Sequence, residues 1–397
     1  MNSSKVVYVI IVFCLCFPAV AEPKKKLIHL GIDTPDINSL PTVINQMELA
    51  PFDGWVFSVR SKNPQLSLLV GNPRKFDFSW GSWGKRAFTR EEIQSTIDDL
   101  KKTKFTKFTD NFIRLCTTPG ELDWFEPHDA ILNNVSLAAL IAKESGIKGV
   151  FFDPEHYESP LWEYPKQRDA KTKSYAEYAA QVRKRGAEVM NAFQKTYPDI
   201  TILLAFGHSA NYYYDYTDDK DKSISFPKYS NDPLKLRYFE YGLLSEFLNG
   251  MVDAAGPKVK LIDGWENAYF YLRAKEFAEG RRIVYEKVLP FVADTAKYKK
   301  AYSCGFGIWL DAWWLAGMPR DNYPADGRSE YPGWSSKDFS RNYFQPDELE
   351  ISLKNALKYS DEYVWLYAER VFYWGSQKNI PDTYIEAISR ARASCQN

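Results

Sequence analysis

Gly149-Val150-Phe151-Phe152-Asp153-Pro154-Glu155-His156-Tyr157 is the stretch on which the fold turns. An apolar run of four residues leads into an acid, a proline and a second acid. A run this short and this continuously apolar suits a parallel strand covered by structure on both faces. Pro154 has no N–H to give a ladder, so the strand ends at Asp153. Asp153 and Glu155 are two residues apart, so on an extended strand end both side chains point toward the interior and mouth of a barrel.

Working outward, short apolar runs alternate with longer amphipathic stretches, the pattern of βα units around a parallel sheet. Eight candidate strands follow: 27–33, 54–59, 111–116, 149–153, 201–206, 259–263, 305–310 and 363–367. Helices are expected over 90–102, 136–145, 175–197, 234–254, 274–298, 347–359 and 382–393, each with apolar residues three or four apart. Thr89 with Glu92 forms a capping box, and Pro346-Asp347-Glu348 suits a first turn. Eight such units fit an α/β fold of the closed (β/α)8 TIM-barrel type better than an open sheet, and one domain over 22–397 is the simplest account. Two insertions, 63–88 after the second strand and 312–342 after the seventh, are rich in aromatic residues and Gly. Both follow the carboxyl end of a strand and are expected on the catalytic rim.

The 397 residues carry 51 Lys plus Arg against 51 Asp plus Glu, with 45% apolar and 16% aromatic side chains. That balance excludes disorder and a polybasic nucleic-acid binder. Residues 1–21 read as an export leader: Lys5, an apolar run from Val6 to Pro18 too short to span a bilayer, then Ala19-Val20-Ala21. A secreted or periplasmic protein beginning at Glu22 is expected, with no stable membrane insertion. Leu15 before Cys16 does not fit a lipid-anchor motif. Cys116, Cys304 and Cys395 remain, with no zinc-finger spacing. A Cys304–Cys395 disulfide is expected if Cys304 begins a strand and so lies at the same end of the fold as the last helix's terminus.

Reactive side chains of such barrels project from strand carboxyl ends. The predicted strands deliver Asp33, then Asp153 and Glu155 with Tyr157, then His208, then Asp263 with Trp265 and Glu266, then Trp309 with Asp311, and finally Tyr367 and Glu369. Carboxylates on a Trp-rich rim suit glycosidic-bond cleavage, in which one acid protonates the leaving oxygen and another stabilises the oxocarbenium-like charge. Two neighbouring carboxylates also push one pKa upward, as a general acid requires. Asp153 and Glu155 are the central catalytic candidates, with Asp263 as a third. The others are candidate substrate-binding residues. Four histidines without a His-x-His or His-Glu-x-x-His motif speak against a catalytic metal, and no cofactor or nucleotide loop is evident.

The fourth-strand ending Gly149-Val150-Phe151-Phe152-Asp153-Pro154-Glu155 resembles the Asp-x-Glu ending of family-eighteen chitinase-like glycoside hydrolases and of hyaluronidases. The resemblance implies that Glu155 is the proton donor and that Asp153 orients and charge-stabilises a substrate acetamido group, which acts as nucleophile. The spaced acids that precede the Asp in typical chitinases are absent, as is a clear Tyr-bearing sixth-strand motif. A second assignment follows the α-galactosidase-like families, with Asp153 as nucleophile and Asp263 as acid. The functional expectation is a secreted, retaining glycoside hydrolase acting on a carbohydrate substrate. Its rival is a catalytically silent carbohydrate-binding barrel.

Overall fold

The computed structural model describes residues 24–60, 77–213, 233–312 and 334–395. The expected leader, 63–76 of the first insertion and 313–333 of the second lie outside the described residues.

The chain folds as a (β/α)8 barrel. Its parallel strands are β1 (Lys26–Gly31), β2 (Gly54–Phe57), β3 (Phe112–Cys116), β4 (Gly149–Asp153), β5 (Thr201–Leu204) and β6 (Lys260–Asp263), followed by β7 in two pieces (Tyr302–Cys304 and Phe306–Trp309) and β8 (Tyr363–Ala368). Each strand pairs with the next, and β8 returns to pair with β1 along its whole length, from Lys26↔Tyr363 to Gly31↔Ala368. Closure happens at β7. Its first piece pairs with β6 and its second with β8. Gly305 joins the two pieces: its N–H donates 2.8 Å to Asp263 O, while a Cβ there would lie 2.9 Å from Tyr363 O. A residue without a side chain lets one strand change partners in mid-course.

Because all strands run one way, every strand carboxyl end opens at the same mouth. Burial explains the apolar runs: all five residues of β4 and all four of β2 and β5 are buried. The helix Arg90–Lys102 opens with both halves of its capping box in place. The helix expected over 136–145 starts earlier, as Asp129–Glu144.

Two expected helices are broken. The stretch 234–254 divides into a 3-10 segment, Pro233–Tyr238, and a helix, Leu244–Ala254. Between them the chain folds back so closely that a Cβ at Gly242 would lie 1.8 Å from Leu236 O. The stretch 274–298 divides into Ala274–Arg282, a π turn Ile283–Lys287, a 3-10 turn Leu289–Phe291 and Thr295–Ala301. Pro290 removes an N–H from the ladder, and the Asp294 side chain then caps a new helix by accepting from Lys297 N–H.

The expected disulfide is absent. Cys304 does not begin a strand; it ends the first piece of β7, buried, with Sγ 3.6 Å from Gly305 O, while Cys395 follows the last helix beside Ser394. Both are free thiols, as is Cys116. Among the described residues no helix is long and apolar enough to cross a membrane.

Candidate active site

Seven of the eight strands, β2 being the exception, send residues to one cavity of about 200 Å3 at the mouth. β4 and the loop after it supply Asp153, Glu155 and Tyr157, and β3 supplies Arg114. The turn after β6 supplies Glu266 and Tyr269, β7 supplies Trp309, and β8 supplies Trp365, Tyr367 and then Glu369. Leu30, Phe151 and Ala205 complete the lining.

Asp153 is the most restrained member. Arg114 Nη2 lies 2.8 Å from its Oδ2, and the Tyr157 hydroxyl donates to the same oxygen at 3.3 Å. Its Oδ1 accepts the Glu155 N–H at 3.1 Å, and the buried Cys116 thiol donates to Oδ2 at 3.7 Å. Arg114 is itself held from above: its guanidinium stacks on the Trp80 ring at 4.4 Å, and Trp80 packs on Tyr157 at 5.4 Å. Trp80, from the described part of the first insertion, 77–88, thus lies against two residues of the cavity wall.

Glu155 is pushed up to about 7 by burial and then by the neighbouring Asp153 charge, against the opposing pull of a Tyr157 hydrogen bond and Arg114. Glu266 is pushed well above the carboxylate range, again by burial first and then by the charges of Glu155 and Asp153, with a Tyr269 hydrogen bond working the other way. The cavity thus holds a carboxyl group half-protonated near neutral pH, a second that keeps its proton, and an aspartate matched to a guanidinium.

A raised folded-state pKa has a cost. Folded protein binds the Glu155 proton more tightly than the unfolded chain does, so that stabilisation is complete below the ordinary value of 4.5 and lost as pH rises through about 7. The difference corresponds to about 3 kcal/mol. Glu155→Gln is expected to be more stable than the wild type at pH 8, by about 2–3 kcal/mol, with the gap closing below pH ~4.5. Urea unfolding at both pH values checks this, and a variant less stable at pH 8 contradicts it.

Several expected site residues stand elsewhere. Asp263 is buried off the cavity lining, accepting from Ser209 Oγ at 2.8 Å and from the N–H groups of Ser209 and Trp265 at 3.3 and 3.2 Å. Its carboxylate braces the turn at Trp265, which sits buried in the left-handed region at φ 39°. That turn presents Glu266, so the carboxyl group from the sixth strand's end that faces Glu155 is Glu266, and an Asp153/Asp263 acid–nucleophile pair is not assembled. His208 is buried against Tyr298 and Tyr302, bonds Asn249 Oδ1 at 3.2 Å, and is pushed down to about 4 by burial. Asp33 bonds the buried His29 at 2.8 Å and accepts the Tyr373 N–H at 3.1 Å. Asp311 accepts from Trp309 Nε1 and from the N–H groups of Glu369, Arg370 and Val371, which fixes the turn that carries Glu369. Tyr367 donates to Glu369 at 2.9 Å.

Sequence reasoning missed Arg114 and Tyr269. Arg114 had a signal: it is the single charge inside the strand Phe112–Cys116, and a buried strand keeps such a charge only with a partner. Tyr269 lies in a 3-10 turn, Glu266–Phe270, beyond the strand end, where no strand pattern reaches. Among the described residues no group of three or more His, Cys, Asp or Glu could hold a metal ion.

No family model and no curated protein sequence matches this chain. Among solved structures it is similar to a GH18 chitinase from Pseudoalteromonas aurantia, at 12% identity over 92% of this chain and 100% of that one, with a TM-score of 0.40. It is also similar to a GH5 xyloglucanase from Bacteroides ovatus (11% identity, 91% of this chain and 68% of that one, TM-score 0.41). Endonuclease IV from Thermus thermophilus is a further neighbour (10%, 93% and 99%, TM-score 0.38). None of these likenesses bears on activity, and the barrel itself follows from the pairing of the strands.

Proposed function

We propose that this chain is a secreted glycoside hydrolase that cleaves an oligo- or polysaccharide with retention, using Glu155 as acid/base and Asp153 as its partner. The observation that carries the reading is Glu155 poised near neutral pH beside a guanidinium-matched Asp153, in one cavity walled by Trp309, Trp365 and Tyr367. A bound sugar ring packs its apolar face on the aromatic walls. Protonated Glu155 gives its proton to the glycosidic oxygen as the C–O bond breaks, and the aglycone leaves as an alcohol.

Two carboxyl groups are poorly suited to attack the anomeric carbon. Asp153 has both oxygens engaged, and Glu266 holds its proton. The substrate's own 2-acetamido group is then the nucleophile, the route implied by the resemblance of the fourth-strand ending, with Asp153 orienting it; Glu369, which lines the same cavity and accepts from Tyr367, is the carboxylate left for direct attack on substrates without that group. Glu155, now a carboxylate, then takes a proton from the water that attacks the ring, which restores the acid and gives net retention. Export rests on the leader at 1–21, and a single catalytic domain on the continuous βα series that follows it.

The test is a screen of the protein from Glu22 onward against polysaccharides and aryl glycosides. Hydrolysis with retained anomeric configuration is expected for N-acetylated substrates first. Silence on every substrate, with a glycan still raising the melting temperature, would replace this reading by a carbohydrate-binding barrel.

A further inference from the structure

The catalytic cavity is small. At about 200 Å3 it falls below the roughly 300 Å3 at which pockets for drug-sized ligands begin, so among the described residues it has room for little more than one ring. A polymer occupying it must continue along the rim.

A second hollow, of about 270 Å3, lies on that rim, between the loop Ile32–Pro35 and the loop 372–377. These loops leave the carboxyl ends of β1 and β8, which are paired neighbours, with Leu30 opposite Tyr367 and Gly31 opposite Ala368. Leu30 and Tyr367 line the catalytic cavity, while Ile32 and Phe372, a few residues further along the same two chains, line the outer hollow. The two spaces thus lie along consecutive stretches of one strand pair and the loops that leave it.

The outer hollow is held in shape from behind. Asp33 ties its two sides together, accepting the Tyr373 N–H through its carboxylate at 3.1 Å and the Trp374 indole N–H through its carbonyl at 2.9 Å. Asn379 fastens the second loop by accepting the Phe372 N–H at 2.8 Å. The surface so fixed combines apolar and polar groups: Ile32 is 60% exposed and Phe372 and Trp374 are half-buried, and Thr34, Ser376 and Gln377 line the same hollow. Ile32 does not stand alone there: Phe372 and Trp374 from the second loop line the same hollow, which makes one apolar face and not a single exposed side chain. Aromatic and aliphatic surface with a polar edge is the chemistry that receives a pyranose ring, apolar face down and hydroxyls outward.

We infer that the hollow between Ile32 and Trp374 is an outlying subsite for a further sugar ring of a polymeric substrate. This rests on the glycoside hydrolase reading and deepens it: the preferred substrate is a chain several residues long. The test compares the wild type with Trp374→Ala and with Ile32→Asp, the latter at an exposed position where folding is not at stake. Substrates are colloidal chitin and soluble glycol chitin on one side and a short 4-methylumbelliferyl glycoside on the other. On the polymers, kcat/KM is expected to fall roughly tenfold through KM in both variants, with the short substrate unchanged. Equal losses on long and short substrates, or no loss on either, overturn the subsite. If the wild type hydrolyses nothing, the function proposed above has failed, and affinity gels cast with glycol chitin decide the subsite alone. Retardation of the wild type but not of Ile32→Asp supports it, whereas equal migration overturns it.

Discussion

Glu155→Gln is expected to lower kcat on natural glycosides by about 10²–10⁴-fold with little change in KM, because the amide fills the same volume but has no acidic proton for the leaving oxygen. The loss should be smaller for aryl glycosides whose phenolate leaves with little protonation. The pH dependence carries the sharper signature. Glu155 is pushed up to about 7, so the wild type should be active where that group keeps its proton and should lose kcat/KM as pH rises through the neighbourhood of 7. Glu266 is pushed well above the carboxylate range and is neutral where Glu155 titrates, so Glu266→Gln exchanges one uncharged group for another and should leave the alkaline limb in place. In Glu155→Gln the limb should vanish along with the rate. Retention of more than a tenth of wild-type kcat on a natural glycoside, or an unchanged limb, would remove Glu155 from the role of acid.

What the sequence made legible and what it did not divide along physical lines. The strand Gly149–Asp153 could be read to the residue because apolar continuity, length and Pro154 all point the same way. The other strands follow from their apolar runs, except that the seventh, expected over 305–310, also has an earlier piece, Tyr302–Cys304, set off by Gly305 where the strand changes partners. The helices expected over 234–254 and 274–298 were read too long because periodicity registers an apolar face and is blind to a fold-back at Gly242 or the lost donor of Pro290. Around the site, Asp153, Glu155, Glu266, Trp309, Tyr367 and Glu369 were all nominated by their place at strand ends, and the cavity gathers them. Asp263, Asp311, His208 and Asp33 were nominated by the same logic, yet each faces backbone N–H groups or buried side chains. Spacing gives the strand end a residue occupies; it does not give the direction of the side chain once the chain has turned, as at Trp265. Asp263 and Asp311 hold the turns that carry Glu266 and Glu369, so of the two acids the sequence offers in each turn one braces the backbone and the other lines the cavity.

Arg114→Met is expected to cost about 3–5 kcal/mol of folding stability at pH 7, the price of leaving one partner of a buried ion pair uncompensated. The guanidinium lies 2.8 Å from Asp153 Oδ2 and is stacked on Trp80, so methionine replaces its length but neither its charge nor its donors. Adding Asp153→Asn should restore most of the loss at pH 7, giving a large coupling energy in the double-mutant cycle. Activity offers an independent readout. Arg114 holds the Glu155 proton affinity down, so in Arg114→Met the alkaline limb of whatever activity remains should move to higher pH. A merely structural arginine would lower the amount of folded enzyme without moving that limb. If Arg114→Met unfolds within about 1 kcal/mol of the wild type and Asp153→Asn gives no rescue, the pair is not what fixes Asp153 beneath the substrate, and the partner role assigned to that aspartate loses its physical basis.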